Sequence, residues 1–547
     1  MKKRVLAMLT GLIMIIGLLG GCANTPSDSS VSDPSSQTGV SGSEDVVSTG
    51  ADPETPEDLE FVEFTVYSLD DDPDIKNWPL VKEAMQKFNF DFTIQQVAWD
   101  NWGETTRTLV ATESLPEVLA WYDLQYGEYL SWAQQGVFKP LPDDLNAYPN
   151  LKKITEDFSI FDSIRVDDKL YAFPKTIHSN PWYDYNHTVI MYRRDIAQAI
   201  GKDFDPVQPI TWDELVTYLK EVKEKDPTGL GDMLVPYDTG SGGLSWVDTI
   251  RRFWNPDITT FTMIDGKYEW GGKDPSSLEG ITKLHDLYTQ GLLAPDAYAD
   301  VYAAGDERFL AGRTAVFEFS AVPQRIQEYS QNLAKTIGIG ETDLGIFCLQ
   351  NDDGKYPISQ KSEWWAAMAF SADCRDEVME RWLMVGDWLL EPEQLEKAAY
   401  GEPGTDWTKE NDELKLNWTM DDITEGGTKQ YITQQENVFL KFFVLEGNST
   451  WLPGNPMISE YALEDLYHTM MDTYASNPAY TPTNYDVEYF SSEVYDSIAG
   501  AIKTETGDAV IRAVIADDPA AEWNSFIESK LADAQKAADE LNDKLAP

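Results

Sequence analysis

Strand and helix patterns alternate along the first folded part of the chain, and this alternation restricts the fold more than any other feature. Residues 61–67 and 91–97 show the apolar–polar alternation of half-buried β-strands, and residues 116–120 form a third apolar run. Helices are expected between them, over 79–88 and around 107–110. Strands joined by helices form a parallel sheet with helices on both faces. The sequence therefore predicts an α/β fold.

Acidic and aromatic side chains follow each of these strands, where an α/β sheet binds its ligands. The chain has 18 Trp, 26 Tyr and 22 Phe, and many tryptophans, such as Trp102 and Trp407, occur in polar, turn-like contexts. Aromatic rings beside carboxylates suit a sugar, because rings stack on pyranose C–H groups and carboxylates accept hydroxyl hydrogens. Taken singly, each ring is more often a packing residue. The candidates that follow these strands are Asp70, Asp71, Trp99, Trp121, Tyr122 and Asp123. Trp182, Tyr183 and Trp246 are added because their sequence context is that of a loop.

The first 22 residues have the pattern of a bacterial lipoprotein signal. A basic start at residues 2–4 precedes an apolar run over 5–20, and the run ends in Leu-Gly-Gly-Cys22. The run is short for a membrane-spanning helix, and small residues before a cysteine suit a cleaving peptidase. The segment resembles a lipobox, which implies removal of residues 1–21 and a palmitate-type lipid on Cys22. The alternative is an ordinary signal peptide with a chance cysteine.

Residues 22–58 are expected to form a disordered tether behind this lipid. They consist mainly of Ser, Thr, Pro, Gly, Asp and Glu, which bury too little apolar surface to offset the entropy lost on folding. A lipid-anchored domain on the extracellular face of the cell membrane is the location that this arrangement predicts.

Composition excludes several classes of partner. The formal net charge is −52, and no Lys/Arg cluster follows residue 4, so nucleic acid is not an expected partner. The four histidines lack metal-ligand spacing, and neither a metal nor a cofactor is expected. Cys348 and Cys374 are expected either to pair or to remain as two buried thiols.

Several motifs, in one order, resemble those of family 1 extracellular solute-binding proteins, the sugar-type receptors of ABC importers with the maltose-binding fold. The motifs are LPEVLAWYD (115–123), AQQGVFKPL (133–141), DKLYAFP (168–174), MYRRD (191–195), ITWDEL (210–215) and FLAGRTAVF (309–317). The agreement extends over about 60–390. Residues 395–510 are longer and richer in Trp, Tyr and Pro than a minimal receptor, and resemble the large Gram-positive lipoprotein branch.

The resemblance implies a two-lobed periplasmic-binding-protein type II fold with a ligand cleft at the hinge. Lobe one would comprise residues 59–172 and 353–395, and lobe two residues 173–352 and most of 396–547. Family contacts carried over to matching positions include Asp70, Asp71, Trp99, Trp121 and Asp123 in lobe one. They add Tyr237, Asp238 and Glu318 in lobe two, and Trp364 and Trp365 in the third crossing segment.

The implied function is that of a monomeric, membrane-anchored receptor that binds an oligosaccharide between its lobes and delivers it to ABC transporter permease subunits. No enzymatic activity is expected. One alternative is a cell-surface glycoside hydrolase, which also needs aromatic residues and a carboxylate pair. Against it, the chain lacks the Gly-x-Ser-x-Gly, His-Glu-x-x-His and phosphate-loop motifs. A lipoprotein that binds a peptide or another non-sugar ligand is the second alternative.

Overall fold

Strands and helices alternate along most of the chain, as the sequence pattern predicts. A computed structural model describes residues 59–69, 74–98, 101–123, 126–175, 188–239, 245–298, 304–320, 323–340, 343–357, 366–411, 413–423, 427–434, 462–479 and 485–545. The strands are β1 (Val62–Ser68), β2 (Phe90–Gln96), β3 (Val118–Asp123), β4 (Phe138–Lys139), β5 (Ala172–Lys175), β6 (Thr188–Arg193), β7 (Val207–Thr211), β8 (Val235–Asp238), β9 (Phe261–Ile264), β10 (Lys267–Trp270), β11 (Thr314–Ser320), β12 (Leu344–Gln350), β13 (Ala366–Ser371), β14 (Trp407–Glu410) and β15 (Glu413–Leu416).

The helices cover both sheets and form most of the C-terminal part. They are α1 (Pro79–Lys87), α2 (Trp102–Ala111), α3 (Tyr126–Gln134), α4 (Pro149–Asp157), α5 (Ile160–Ser163), α6 (Arg194–Ala199), α7 (Trp212–Lys225), α8 (Trp246–Phe253), α9 (Pro275–Thr289), α10 (Ala304–Leu310), α11 (Pro323–Ile337), α12 (Asp376–Leu389), α13 (Pro392–Tyr400), α14 (Met420–Ile423), α15 (Tyr431–Gln434), α16 (Ala462–Ser476), α17 (Tyr485–Glu488), α18 (Glu493–Ile515) and α19 (Pro519–Lys544). Within the described ranges, no helix combines the length and the apolar character needed to cross a membrane.

The first sheet has the strand order β2–β1–β3–β13–β4, and β5 also pairs with β13. Strand β1 runs parallel to β2 and β3, as the alternation of strands and helices predicts. Strand β13 runs antiparallel to β3, β4 and β5, so the expectation of a parallel sheet is wrong for this part. The reason is that β13 returns from a distant segment, whose direction the local pattern of residues 61–120 does not determine.

Aromatic side chains fill the core beside the first sheet. The ring of Phe64 on β1 stacks on Phe90 with the centroids 5.6 Å apart. Trp382 of α12 meets Phe64 edge to face at 5.8 Å. All three side chains are buried. Helix α12 therefore packs on the first sheet through contact with Phe64, which lies more than 300 positions before Trp382 in the chain.

The second sheet has the strand order β7–β12–β6–β11–β8. Strand β6 is antiparallel to both of its neighbours, whereas β7 and β8 at the edges are parallel to theirs. Tyr192 of β6 stacks on Phe347 of β12 at 4.1 Å. A Cβ at Gly345 would lie 2.5 Å from the Tyr192 ring, so the glycine permits this close stacking.

The C-terminal part packs in two places. Helices α18 and α19 pack on α9, and α19 also packs on β10 and α18 on α8, while α16 packs on β12 of the second sheet. Nearer in sequence, Trp407 lies on β14 and packs against Tyr400 at the end of α13. Its indole N–H donates to the Gly401 carbonyl at 2.8 Å. Trp407 therefore follows directly after a turn, as its sequence context indicates, and its ring packs in a small hydrophobic cluster.

Candidate functional site

The carboxyl edge of the first sheet brings together the ends of β3, β13 and β5. Asp123 lies opposite Ala366, and Ala366 lies opposite Lys175 on its other side. Trp121 is two residues before Asp123 and belongs to β3, which continues past the predicted strand end at residue 120. The loop position expected for Trp121 is therefore wrong.

The ring of Trp121 is covered by an ammonium group. Lys175 Nζ lies 4.8 Å from the ring centroid, within the range of a cation–π interaction. Trp121 is 2% exposed and Lys175 is fully buried. A ligand that stacks on this face of the Trp121 ring must therefore displace the Lys175 ammonium group or bind beside it.

Tyr122 lies on the face of the sheet opposite to that of Trp121, because successive side chains of a strand alternate between the two faces. Its ring lies 5.3 Å from Phe138, and burial raises its pKa well above the usual value of a tyrosine. Among the residues that the structure describes, none forms a hydrogen bond with the Tyr122 hydroxyl. The surroundings of this ring are those of a packing residue.

A buried carboxylate occupies the corresponding edge of the second sheet. Glu318 of β11 is fully buried and accepts a hydrogen bond from the Tyr237 hydroxyl. Thr249 Oγ1 of α8 donates to Glu318 Oε2 at 3.2 Å. Arg252, one turn later on α8, forms an ion pair with the same carboxylate. Burial lowers the pKa of Arg252 to about 10, because a charged guanidinium is less well solvated there.

Asp238, at the end of β8, is the second buried carboxylate of this edge. It lies opposite Phe317 of β11, next to Glu318. Arg308 of α10 binds it with two nitrogens, Nε to Oδ2 at 2.6 Å and Nη2 to Oδ1 at 3.3 Å. The third nitrogen, Nη1, reaches Asp296 Oδ1 at 3.0 Å. The charge of Asp238 is therefore matched by a two-point contact that fixes α10 against β8.

Trp246 is the first residue of α8 and is fully buried, so the loop context expected for it is wrong. Ser245 caps this helix in a capping box with Asp248. The ring of Trp246 packs edge to face against Tyr298 at 5.1 Å. Trp246, Thr249 and Arg252 are spaced by three residues, so the periodicity of α8 was the signal for this shared face. Sequence reasoning found Trp246 and missed Thr249, Arg252 and Arg308.

The remaining candidates lie outside the described residues. They are Asp70, Asp71, Trp99, Trp182, Tyr183, Trp364, Trp365 and the lipidation residue Cys22. For Asp123 only the backbone is described. The structure therefore brings together Tyr237, Asp238 and Glu318 at the edge of the second sheet, and Trp121 and Asp123 at the carboxyl edge of the first sheet. Contact of any of these residues with a ligand stays a prediction.

The two cysteines with described positions do not pair. Cys348 and Cys374 are both free and buried, which is the second of the two possibilities left by the sequence. Burial raises the pKa of each thiol to about 12, which makes both poor nucleophiles. Among the described residues, no three His, Cys, Asp or Glu side chains are grouped so that they could hold a metal ion.

Comparison with known sequences identifies a family and a relative. The sequence model described as bacterial extracellular solute-binding protein matches residues 79–401. The lipoprotein LipO of Bacillus subtilis (strain 168) is 23% identical over 326 residues, which make up 58% of this chain and 56% of LipO. The match thus spans little more than half of the length of that relative.

Comparison with solved structures identifies the fold. The S. pneumoniae ABC-transporter substrate-binding protein FusA in complex with kestose has a TM-score of 0.65 at 15% identity, covering 88% of this chain and 100% of FusA. The alginate-binding protein AlgQ2 without calcium ion has a TM-score of 0.64 at 15% identity, covering 89% and 98%. An HMO-binding, ABC-transporter-associated solute-binding protein from Bifidobacterium longum infantis has a TM-score of 0.59 at 14% identity, covering 88% and 97%. The chain has the two-lobed fold of these substrate-binding proteins.

Proposed function

Because this chain belongs to the bacterial extracellular solute-binding protein family, we propose that it is the receptor of an ABC importer and binds an oligosaccharide between its two lobes. The family match over residues 79–401 is the observation that carries the proposal, since it includes strands of both sheets. In such a receptor, the lobes close on the ligand, and the permease subunits recognise the closed conformation.

Two lines of support favour an oligosaccharide over other solutes. The solved relatives include FusA with kestose and the alginate-binding AlgQ2, so this fold holds carbohydrate chains in proteins of similar architecture. In this chain, aromatic and acidic side chains occur at the strand ends of both sheets, which suits stacking on sugar rings and hydrogen bonding to hydroxyls.

Cys22 is the proposed attachment point. The lipobox pattern and the name of the relative LipO, a lipoprotein, both support a lipid on this residue. The polar tether of residues 22–58 would then hold the receptor at the extracellular face of the membrane, near the permease.

The contacts of the buried carboxylates support a division of roles within the site. Glu318 and Asp238 already accept hydrogen bonds from protein donors and are fully buried. In this proposal they fix α8 and α10 at the edge of the second sheet, so that this edge is rigid when the lobes close. Trp121 and the tryptophans and aspartates predicted at the strand ends would supply the direct contacts to the sugar.

A ligand screen tests the proposal. The full-length chain is incubated with fructo-oligosaccharides, alginate oligosaccharides and peptides of similar length, and thermal unfolding is measured at several ligand concentrations. An oligosaccharide that binds the native state should raise the melting temperature progressively with its concentration. Chromatography of the incubated sugar tests for cleavage.

The outcomes separate the alternatives. Stabilisation by an oligosaccharide that is recovered intact supports the receptor. Stabilisation by peptides alone contradicts the sugar, and cleavage of the sugar contradicts a purely binding role.

A further inference from the structure

A short segment of the C-terminal part contacts the hydrophobic cores of both lobes. It comprises residues 485–496, that is, α17, the turn after it and the first residues of α18. Tyr489 packs against the core beside the first sheet, whereas Val487 and Phe490 pack in the core beside the second sheet. Neighbouring residues of one turn therefore contact opposite lobes.

The contact with the first lobe is made at the start of α3. Tyr126, the first residue of α3, meets Tyr489 edge to face with the ring centroids 5.3 Å apart. Helix α3 begins three residues after Asp123, the last residue of β3. The contact therefore lies at the carboxyl edge of the first sheet, near Trp121, where the ligand is proposed to bind.

Gly127 of α3 lies against the side chain of Asp496 in this contact. A Cβ at position 127 would lie 2.7 Å from Asp496 Oδ2 and 2.9 Å from its Cγ, closer than real Cβ contacts. Asp496 is held in place by Ser491, whose hydroxyl donates to Oδ2 at 2.6 Å. Glycine is unfavourable within a helix, so its presence in α3 weakens the helix where it meets the carboxylate of Asp496.

The other side of the segment is fixed to the second lobe. Tyr495 is 7% exposed, and its ring meets Phe490 at 5.1 Å and Phe261 of β9 at 5.6 Å. Helix α18 then packs along α9 and α19. The segment is therefore part of the second lobe, and its residues Tyr489 and Asp496 contact the first lobe.

From these contacts we infer that residues 485–496 form a clasp between the lobes, with Gly127 and Tyr489 acting as positioning residues for ligand binding. The inference rests on the proposed function in one respect, namely that binding requires the lobes to close. Separation of the lobes must break the Tyr126–Tyr489 and Gly127–Asp496 contacts. The clasp therefore favours the closed arrangement, and the apparent affinity for ligand falls in proportion when the closed fraction falls.

The decisive experiment measures the distance between the lobes without any ligand. Spin labels are attached to Glu156→Cys on α4 and Glu224→Cys on α7, both exposed positions, in the full-length chain with Cys22→Ser. The buried thiols of Cys348 and Cys374 should react slowly, because burial raises their pKa to about 12. Gly127→Ala places a methyl group against Asp496 and should shift the distance distribution to longer values.

Gly500→Ala is the matched control. Gly500 is also helical, and a Cβ there meets nothing within 4 Å, so the distance distribution should not change. The double variant Gly127→Ala/Asp496→Ala removes the carboxylate that the new methyl group would meet, and should return the distribution towards that of Asp496→Ala. An unchanged distribution in Gly127→Ala would overturn the clasp, as would an equal shift in Gly500→Ala.

Tyr489→Ala adds an affinity measurement. The loss of an edge-to-face aromatic pair corresponds to about a 2- to 12-fold change in an equilibrium constant. The closed fraction and the affinity for any oligosaccharide found in the screen should fall by the same factor. Longer lobe distances without oligosaccharide binding would support the clasp and contradict the proposed function. Normal oligosaccharide binding with unchanged lobe distances would contradict the clasp and support the proposed function.

Discussion

Glu318 illustrates the cost of a charge inside the second lobe. The carboxylate is fully buried, and Tyr237, Thr249 and Arg252 all contact it. Such a pair contributes little net stability when intact, because desolvation offsets the attraction between the charges. Removal of one partner is costly, however, because it leaves the other charge buried without compensation.

We therefore expect Glu318→Gln to lower the free energy of unfolding by roughly 3–5 kcal/mol. The substitution keeps the shape of the side chain and removes the charge that Arg252 faces. Urea denaturation measures the change. Glu128→Gln is the control, because the Arg107–Glu128 pair is partly exposed and its loss should cost less than about 1 kcal/mol. Equal effects of the two variants would contradict the importance of burial.

Trp121→Ala should weaken oligosaccharide binding by roughly 1–3 kcal/mol, as truncation of a buried anchor does in other interfaces. The ring is 2% exposed beneath Lys175, so the variant should also lose stability. Titration calorimetry on the folded fraction separates the two effects. Asp123→Asn should cost less than Trp121→Ala if its partner is a neutral hydroxyl, and more if the ligand is cationic. Unchanged affinity in Trp121→Ala would make Trp121 a packing residue only.

The sequence alone predicts the positions of some residues of the candidate site and not of others. The family resemblance places Tyr237 and Asp238 at a strand end and Glu318 within the strand after Gly312, and the structure has them there. Arg308 was missed, because its partner Asp238 is 70 residues away and only the packing of α10 on β11 brings them together. The indole of Trp246 was assigned to a loop, because the glycines before it conceal the start of α8.

At the scale of elements, α7 begins at a capping box that Thr211 and Glu214 form within the motif at residues 210–215. Glu214 N–H donates to Thr211 Oγ1 at 3.3 Å, and Thr211 N–H donates back to Glu214 Oε2 at 2.9 Å. These bonds satisfy two backbone N–H groups at the start of the helix, which otherwise lack intrahelical partners.

Thr211→Ala should lower the free energy of unfolding by about 0.5–2 kcal/mol. Thr217→Ala in the exposed middle of α7 is the control, and it should leave stability unchanged or raise it, because alanine is the better helix former. Hydrogen bonds from the backbone and hydroxyl of Thr211 lower the pKa of Glu214. The stabilisation is therefore present above the ordinary pKa of a glutamate and is lost as the pH falls through the lowered value. The part of the Thr211→Ala effect that comes from the bond between the hydroxyl and the Glu214 carboxylate should shrink in acid, whereas the part from the Glu214 N–H to Thr211 Oγ1 bond should remain. An effect of the same size at every pH would contradict the contribution of the carboxylate.

Elements were predictable where a local pattern determines them. Strands β1 and β2 and helix α1 lie within one residue of their expected bounds, because apolar periodicity reports directly on a buried face. Strand β3 continues three residues beyond residue 120, because pairing with β13 extends it. That pairing joins segments almost 250 residues apart, and no local pattern contains it.

At the scale of the whole molecule, lipid attachment should determine location without affecting the fold. Cys22→Ser should release the protein from the membrane fraction into the medium, because the variant lacks the acceptor of the lipid. The melting temperature should stay that of the parent, because Cys22 lies 40 positions before Val62, where the first described strand begins. Fractionation after a high-salt wash measures the release. A variant that remains with the membrane would contradict lipid anchoring through this cysteine.

Ligand binding should change the stability and the dimensions of the protein together, because two lobes that close on one ligand bury surface around it. At a ligand concentration one hundred times the dissociation constant, the free energy of unfolding should rise by about 2.7 kcal/mol. Small-angle scattering under the same conditions should show a smaller radius of gyration. A non-binding sugar of similar size is the control for effects of the solute itself. Stabilisation with identical scattering profiles would mean that the ligand binds without closing the lobes, and the transport signal proposed here would then need another origin.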